Sequence, residues 1–302
     1  MKTVSIIIPV YNIVHYIERC VDSVINQTFN NCEIIIVDDG STDGGYEKCD
    51  NLAKKDKRIK ILHKINGGIS EARNRGIEIA TGDYLFFLDG DDYIEKNTIE
   101  TLVNLLEINK ADVSVVFKTD HNDRTEKIFI GNGENAFIHL LDYSAIEMWG
   151  KLFKTELFKN IRFPIGKQHE DMYTLPSVLL SSNKIVVFHK GYYHYEQRDK
   201  SIMGEIRKGK IKELVECYIF CVSNIKRISN KRIFVKEVQK RYFYQILWYY
   251  YNVIGIIKDK QAKKQANKQI SKFYRSTILV CWRNSNISLK DKLLFTRFSF
   301  KC

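Results

Sequence analysis

Val4–Val10 is an apolar run that ends in Tyr11-Asn12, and the same design recurs along the first part of the chain. Glu33–Val37 closes on Asp38-Asp39-Gly40-Ser41, Ile59–His63 is a third short run, and Tyr84–Leu88 leads straight into Asp89-Gly90-Asp91-Asp92. Between these runs Ile17, Cys20, Val21, Val24 and Ile25 repeat at helical spacing, and Ser70–Ala80 reads as a further helix. Runs that are apolar on both faces belong to strands covered from both sides. Alternation of such strands with helices predicts an α/β fold, a mostly parallel sheet with flanking helices. Ligands of such sheets sit beyond the carboxyl ends of the strands. Three strands here therefore aim polar residues at one crevice.

From about residue 205 the pattern changes. Ile211–Ile228, Lys231–Ile257 and Lys260–Trp282 are helix candidates with few strand signals between them, which divides the chain into 1–205 and a helical extension, 206–302. Charge divides with it: residues 201–302 carry 23 Lys/Arg against 6 Asp/Glu, a balance of +17, and residues 1–200 carry 25 against 30. The basic end suits an anionic partner. The seven cysteines form no CxxC pair, which argues against a disulfide framework or a zinc site and fits a reducing compartment. No secretory cleavage pattern and no run of about 18 uncharged apolar residues is seen, so the expected location is cytoplasmic.

The chemistry concentrates in four segments. In Asp89-Gly90-Asp91-Asp92, carboxylates two apart at a tight turn can converge on one hard cation, Mn²⁺ or Mg²⁺, which would bridge two phosphates. A solvated β-turn is the bland alternative. Asp39, at the end of the second run, can accept from a base N–H or a ribose hydroxyl. Asn66 through Gly76 joins a glycine turn to a helix start bearing Arg73 and Arg75, suited to phosphate or base edges, or else to a solvated face. Glu170-Asp171 follows Gln168-His169; alone, the pair would read as an acidic helix start.

Together these segments resemble the family 2 glycosyltransferases, whose fold, GT-A, is a Rossmann-like nucleotide-sugar-binding domain. The resemblance is carried by Val4-Ser5-Ile6-Ile7-Ile8-Pro9-Val10-Tyr11-Asn12, Val37-Asp38-Asp39-Gly40-Ser41-Thr42-Asp43, Gly68 through Gly76, and Leu88-Asp89-Gly90-Asp91-Asp92, and it covers roughly residues 3–203. It implies an inverting transfer of a sugar from a nucleoside diphosphate donor, a UDP-sugar, to an acceptor hydroxyl, as in polysaccharide assembly. It further implies that Pro9 and Tyr11 line the base, that Asp39 hydrogen-bonds it, and that Arg73 contacts base or diphosphate. Asp89 and Asp91 match the family's DxD motif, Asp89 toward the ribose and Asp91 as principal metal ligand. Gly90 stands where serine is often found, a change expected to matter little.

Trp149-Gly150-Lys151-Leu152 through Gln168-His169-Glu170-Asp171 resembles the family's later motifs and makes Asp171 the general base. Glu170 is expected to raise its basicity by like-charge repulsion. Tyr192-Tyr193-His194-Tyr195 through Ser201 resembles the closing strand and loop, with His194 a third metal ligand, a phosphate contact or a structural histidine. The aromatics of Arg241–Tyr251 suit a membrane–water interface near a glycan or lipid-linked acceptor; packing or a homodimer contact is the alternative. Two other readings compete. The basic part could bind nucleic acid, against which stands the acidic first part. A nicotinamide dehydrogenase would need a G-x-G-x-x-G after the first strand, which is missing. A catalytically silent sugar-nucleotide-binding relative is a third, although every expected acid is present.

Overall fold

The computed structural model describes residues 2–120, 126–197, 206, 211–252, 254 and 257–300; Ser201, Glu205 and Cys302 lie outside them. The chain forms two compact units, Met1–Phe137 with Ala145–Glu196, and Ile138–Ser144 with Gln197–Cys302. Composition placed the change of pattern near residue 205 and gave no reason to detach 138–144.

The first unit is built on one sheet. Strands β1 (Val4–Val10), β2 (Cys32–Asp38), β3 (Ile59–His63) and β4 (Tyr84–Phe87) are joined by helices α1 (Ile17–Ile25), α2 (Gly45–Ala53) and α3 (Ile69–Ile79). All four strands run parallel in the order β3-β2-β1-β4, and every residue of β1 and β2 is buried, as runs without polar alternation require. Pro9 lies beyond the last β4 partner of β1, Ile7, so its missing N–H interrupts no pairing on that side.

Beyond β4 the sheet turns mixed, which the apolar runs did not reveal. After β5 (Tyr93–Ile94) and α4 (Thr98–Asn109) come β6 (Val113–Lys118), β7 (Ile128–Gly131), α5 (Gly133–Asp142), β8 (Lys151–Lys154), α6 (Glu170–Leu180) and β9 (Ile185–His194). The four-residue strand β8 inserts antiparallel between β4 and β6, and β9 pairs parallel with β6 but antiparallel with β5 and β7. Packing between layers is close: a Cβ at Gly76 of α3 would collide with the side chain of Ile7. At the amino ends of the strands, buried Glu33 accepts from Ser5 Oγ at 2.5 Å, Thr81 N at 2.6 Å and Lys60 Nζ at 2.6 Å, tying β1, β2, β3 and the α3–β4 loop together.

The second unit is helical: α7 (Lys212–Ile228), α8 (Arg232–Asn252), α9 (Lys260–Arg283) and α10 (Leu289–Ser299). Aromatic rings fill its centre. Phe243 lies 5.4 Å from both Phe273 and Phe295, and Tyr274 stacks on Phe295 at 5.2 Å. This revises the expectation for Arg241–Tyr251 as an interfacial segment: Tyr242, Phe243 and Ile246 are core, and Arg241 pairs with Asp142 and Glu237. Only Trp248 and Tyr251 of that stretch's large side chains are exposed. No helix among the described residues is long and apolar enough to cross a membrane.

Candidate active site

Because β1, β2 and β4 are parallel and in register, Tyr11, Asp39 and Asp89 leave the sheet along one edge. The loops there are latched to one another. Asn12, held at φ +52, donates its N–H to Ser41 Oγ at 3.1 Å, and its side-chain oxygen accepts from Thr42 N at 2.8 Å. Tyr11 rides on this latch with its ring half exposed.

Arg73 organises the acids. It sits on the second turn of α3, is 1% exposed, and donates from Nη1 to Glu170 Oε1 at 2.6 Å and to Asp171 Oδ1 at 2.7 Å, and from Nη2 to Asp89 Oδ1 at 2.7 Å. Burial works against its charge, but the fields of Asp171, Asp89 and Glu170 outweigh that and push its pKa up. Arg73 was expected to meet base or diphosphate. The structure instead engages both terminal nitrogens with protein carboxylates, and Nε has no hydrogen-bond partner among the described residues. A single cation therefore joins the acid that follows β4 to the acid pair that opens α6.

The acids outnumber their cation. Burial pushes the Asp89 carboxyl up, Arg73 opposes this, and the charges of Asp91 and Asp171 add to the rise. Glu170 is raised to about 7, by burial first and Asp171 second, so the repulsion assigned to this pair acts on Glu170 itself. Asp92, accepting from Tyr193 Oη at 2.6 Å and Glu196 N at 2.8 Å, is raised to about 8 by burial and by Asp89 and Asp91. An anionic surplus around two carboxylates one residue apart fits a divalent cation. Among the described residues no three His, Cys, Asp or Glu side chains group closely enough to hold one alone. A pair of acids completed by phosphate oxygens and water is the pattern suited to Mg²⁺-type ions. Gly90 matters more than its sequence position suggested: a Cβ there would stand 2.9 Å from Pro9 O and 2.6 Å from Ile13 Cδ1.

Asp171 starts α6 after His169, whose φ of +58 turns the chain into the helix. Its second oxygen, Oδ2, accepts from Met148 N at 3.1 Å. Beneath it Lys151 is buried, donates to Glu147 O at 2.7 Å, and is lowered to about 8 by burial despite Glu147 and Asp171 nearby.

Two further expected site residues, Asp39 and His194, are held by partners within the protein. Asp39 is buried, and its carboxylate accepts from Gly67 N at 2.9 Å, Gly68 N at 2.7 Å and Lys64 Nζ at 2.5 Å. The glycine-turn amides offered to phosphate by the sequence thus hold Asp39. His194 has both ring nitrogens engaged, Nε2 with Glu95 at 2.6 Å and Nδ1 with Thr119 at 3.3 Å, and stacks on Tyr93 at 4.1 Å across the β5–β9 pair. Sequence reading passed over Lys64 and His63, the latter between Asp38 at 2.9 Å and Asp50 at 3.1 Å. Their available signal was position: they end β3 on the edge already marked by Asp39.

The glycosyl transferase family 2 model matches residues 5–168. Glycosyltransferase GlyG of Streptococcus pneumoniae serotype 4 is 34% identical over 221 residues, 67% of this chain and 73% of its own length. Glycosyltransferase GlyA of the same organism is 36% identical over 216 residues, 66% of this chain, and the match spans 31% of GlyA. The fold superposes on S. aureus TarS 1–349 in complex with UDP with a TM-score of 0.74 at 21% identity, over 99% of this chain and 87% of that one. With Arg73 joining Asp89 to the α6 acid pair beyond the parallel half-sheet, the chain belongs to glycosyl transferase family 2 and has the GT-A fold.

Proposed function

We propose that the chain transfers a sugar, with inversion, from a UDP-sugar to an acceptor hydroxyl of a growing cell-surface glycan. The observation that supports this is the shared guanidinium: Arg73 holds Asp89 and Asp171 at once, so an acid suited to the diphosphate end and an acid suited to taking a proton stand in one site. Asp171 takes the acceptor's proton, the acceptor oxygen bonds to the anomeric carbon, and the diphosphate leaves with the electron pair of the broken bond. Arg73 and Met148 N orient the Asp171 carboxylate. Asp91, with Asp89, would hold a divalent cation, Mn²⁺ or Mg²⁺, whose chemistry is to neutralise charge on the leaving diphosphate. The half-exposed Tyr11 ring offers a stacking face to the base. UDP as the nucleotide is supported by the likeness to TarS, which was crystallised with UDP; Asp39 and Arg73 are both engaged within the protein.

Asp171→Asn separates binding from chemistry. UDP affinity measured by calorimetry should stay within a few fold, while transfer from a UDP-sugar falls by about a hundredfold to ten-thousandfold, the usual contribution of a general base. Near-normal transfer with lost UDP affinity would make Asp171 a structural helix-start acid.

A further inference from the structure

We infer that the carboxyl end of α9 and the outer face of α10 form a docking surface for an anionic lipid bilayer. The residues are not those the sequence singled out. On α9, Leu279 and Trp282 are three apart and exposed, 67% and 42%. On α10, Leu289 and Leu293 stand one turn apart, and Phe300 follows at its carboxyl cap, all more than half exposed. Trp282 Nε1 donates to Thr296 Oγ1 at 3.0 Å, which places the two stripes side by side, and Lys292 Nζ donates to Trp282 O at 3.2 Å. Single exposed apolar side chains are ordinary, but five on one joined face are not.

Charge selects the occupant. Residues 260–300 contain ten Lys/Arg and one acid, Asp291. That acid is already bonded to Tyr244 and Ser288. Arg275 and Arg283 flank the apolar residues of α9, and Lys290 and Arg297 flank those of α10; all four are exposed. Apolar side chains rimmed by cations on a helix lying along the surface match the interface of an anionic membrane, where chains enter the acyl boundary and cations meet headgroups. A nucleic acid would satisfy the cations but leave Leu279, Leu289, Leu293 and Phe300 without a use, so phosphate chemistry alone does not account for the face. A surface of this kind would bring the enzyme to a lipid-linked acceptor, yet the inference stands without the transfer reaction.

The test is co-sedimentation of the intact chain with vesicles of phosphatidylcholine alone or with three parts in ten phosphatidylglycerol. Binding should occur only with phosphatidylglycerol and should be released at about 1 M salt, where the Debye length falls to about 3 Å. The combined variant Leu279→Gln, Leu293→Gln and Phe300→Ser should bind at least tenfold more weakly, with an unchanged melting profile and unchanged UDP affinity. Trp248→Ala with Tyr251→Ala, exposed on α8, should bind as the parent does. Equal binding to both vesicles, or to neither, overturns the inference. So does a triple variant that binds phosphatidylglycerol normally, competition by duplex DNA at equal phosphate, or a dimer in sedimentation equilibrium that the triple variant abolishes.

Discussion

Arg73→Met removes one guanidinium and leaves three carboxylates behind. Asp89, Glu170 and Asp171 now accept from it at 2.6–2.7 Å, and the site of the cation is 1% exposed. Methionine fills most of the volume, so the loss is electrostatic rather than a cavity. Breaking a buried ion pair by deleting one partner costs about 3–5 kcal/mol, because the remaining charge is stranded. Three acids share the deleted partner, which would argue for more. Against that, Glu170 is already raised to about 7 and can take a proton at neutral pH for little energy. We therefore expect a loss near the lower end, about 3 kcal/mol. Arg73→Lys should recover only part of it, since one ammonium cannot reproduce two nitrogens directed at three acids.

The measurement is urea denaturation of the unit that carries the site. The three tryptophans are Trp149, Trp248 and Trp282, and only Trp149 lies in that unit. In a Trp248→Phe, Trp282→Phe background its fluorescence reports on that unit alone. Transfer should fall in both Arg73 variants by more than the folded fraction explains, because Asp171 loses its orienting partner. A stability loss below about 0.5 kcal/mol in Arg73→Met, with normal transfer, would refute the idea that this guanidinium organises the acids.

Two other outcomes follow from the same geometry. Asp91→Asn should abolish transfer and remove the Mn²⁺ dependence of UDP binding in calorimetry; full activity, or undiminished turnover in EDTA, would exclude a hard-cation site there. Glu33→Gln should destabilise by about 1–3 kcal/mol, since its oxygens accept from Ser5, Thr81 and Lys60 and an amide would turn donors toward donors. Those hydrogen bonds outweigh burial and lower the Glu33 carboxyl to about 2 from 4.5. Its stabilisation is present above pH 4.5 and lost as pH falls toward 2, so the variant should show a flatter acid limb; an acid limb parallel to the parent's would rule this out.

What was legible in the sequence depended on the range of the interaction. β1, β3 and, among the described residues, helices α7, α8 and α9 were legible to within a few residues, because apolar runs and 3.6-residue periods are local signals, whereas the short α10 was not expected. β8 was not, because a four-residue strand between β4 and β6, three of its residues buried, carries no alternation and is set by its neighbours. The same limit governs the site. Position at strand ends located Tyr11, Asp39, Asp89 and Asp91, but the direction in which each side chain points is fixed by residues far along the chain. Asp39 turns to Gly67 and Gly68, and Arg73 turns to Glu170 and Asp171.

Two of the residues expected to read the donor, Asp39 and Arg73, are thus hydrogen-bonded to other groups of the protein. Arg73 cannot turn outward toward a diphosphate without stranding Asp89, Glu170 and Asp171, a penalty of the same size as its deletion. Asp39 cannot leave the glycine turn without unpairing two backbone N–H groups at the start of α3, each worth about 1–3 kcal/mol if buried. On the proposed function, base and ribose recognition would fall to side chains with surface to offer, the half-exposed Tyr11 foremost. On that proposal the acids are already held by protein contacts when a donor arrives, so the free energy of donor binding need not be drawn on to assemble them.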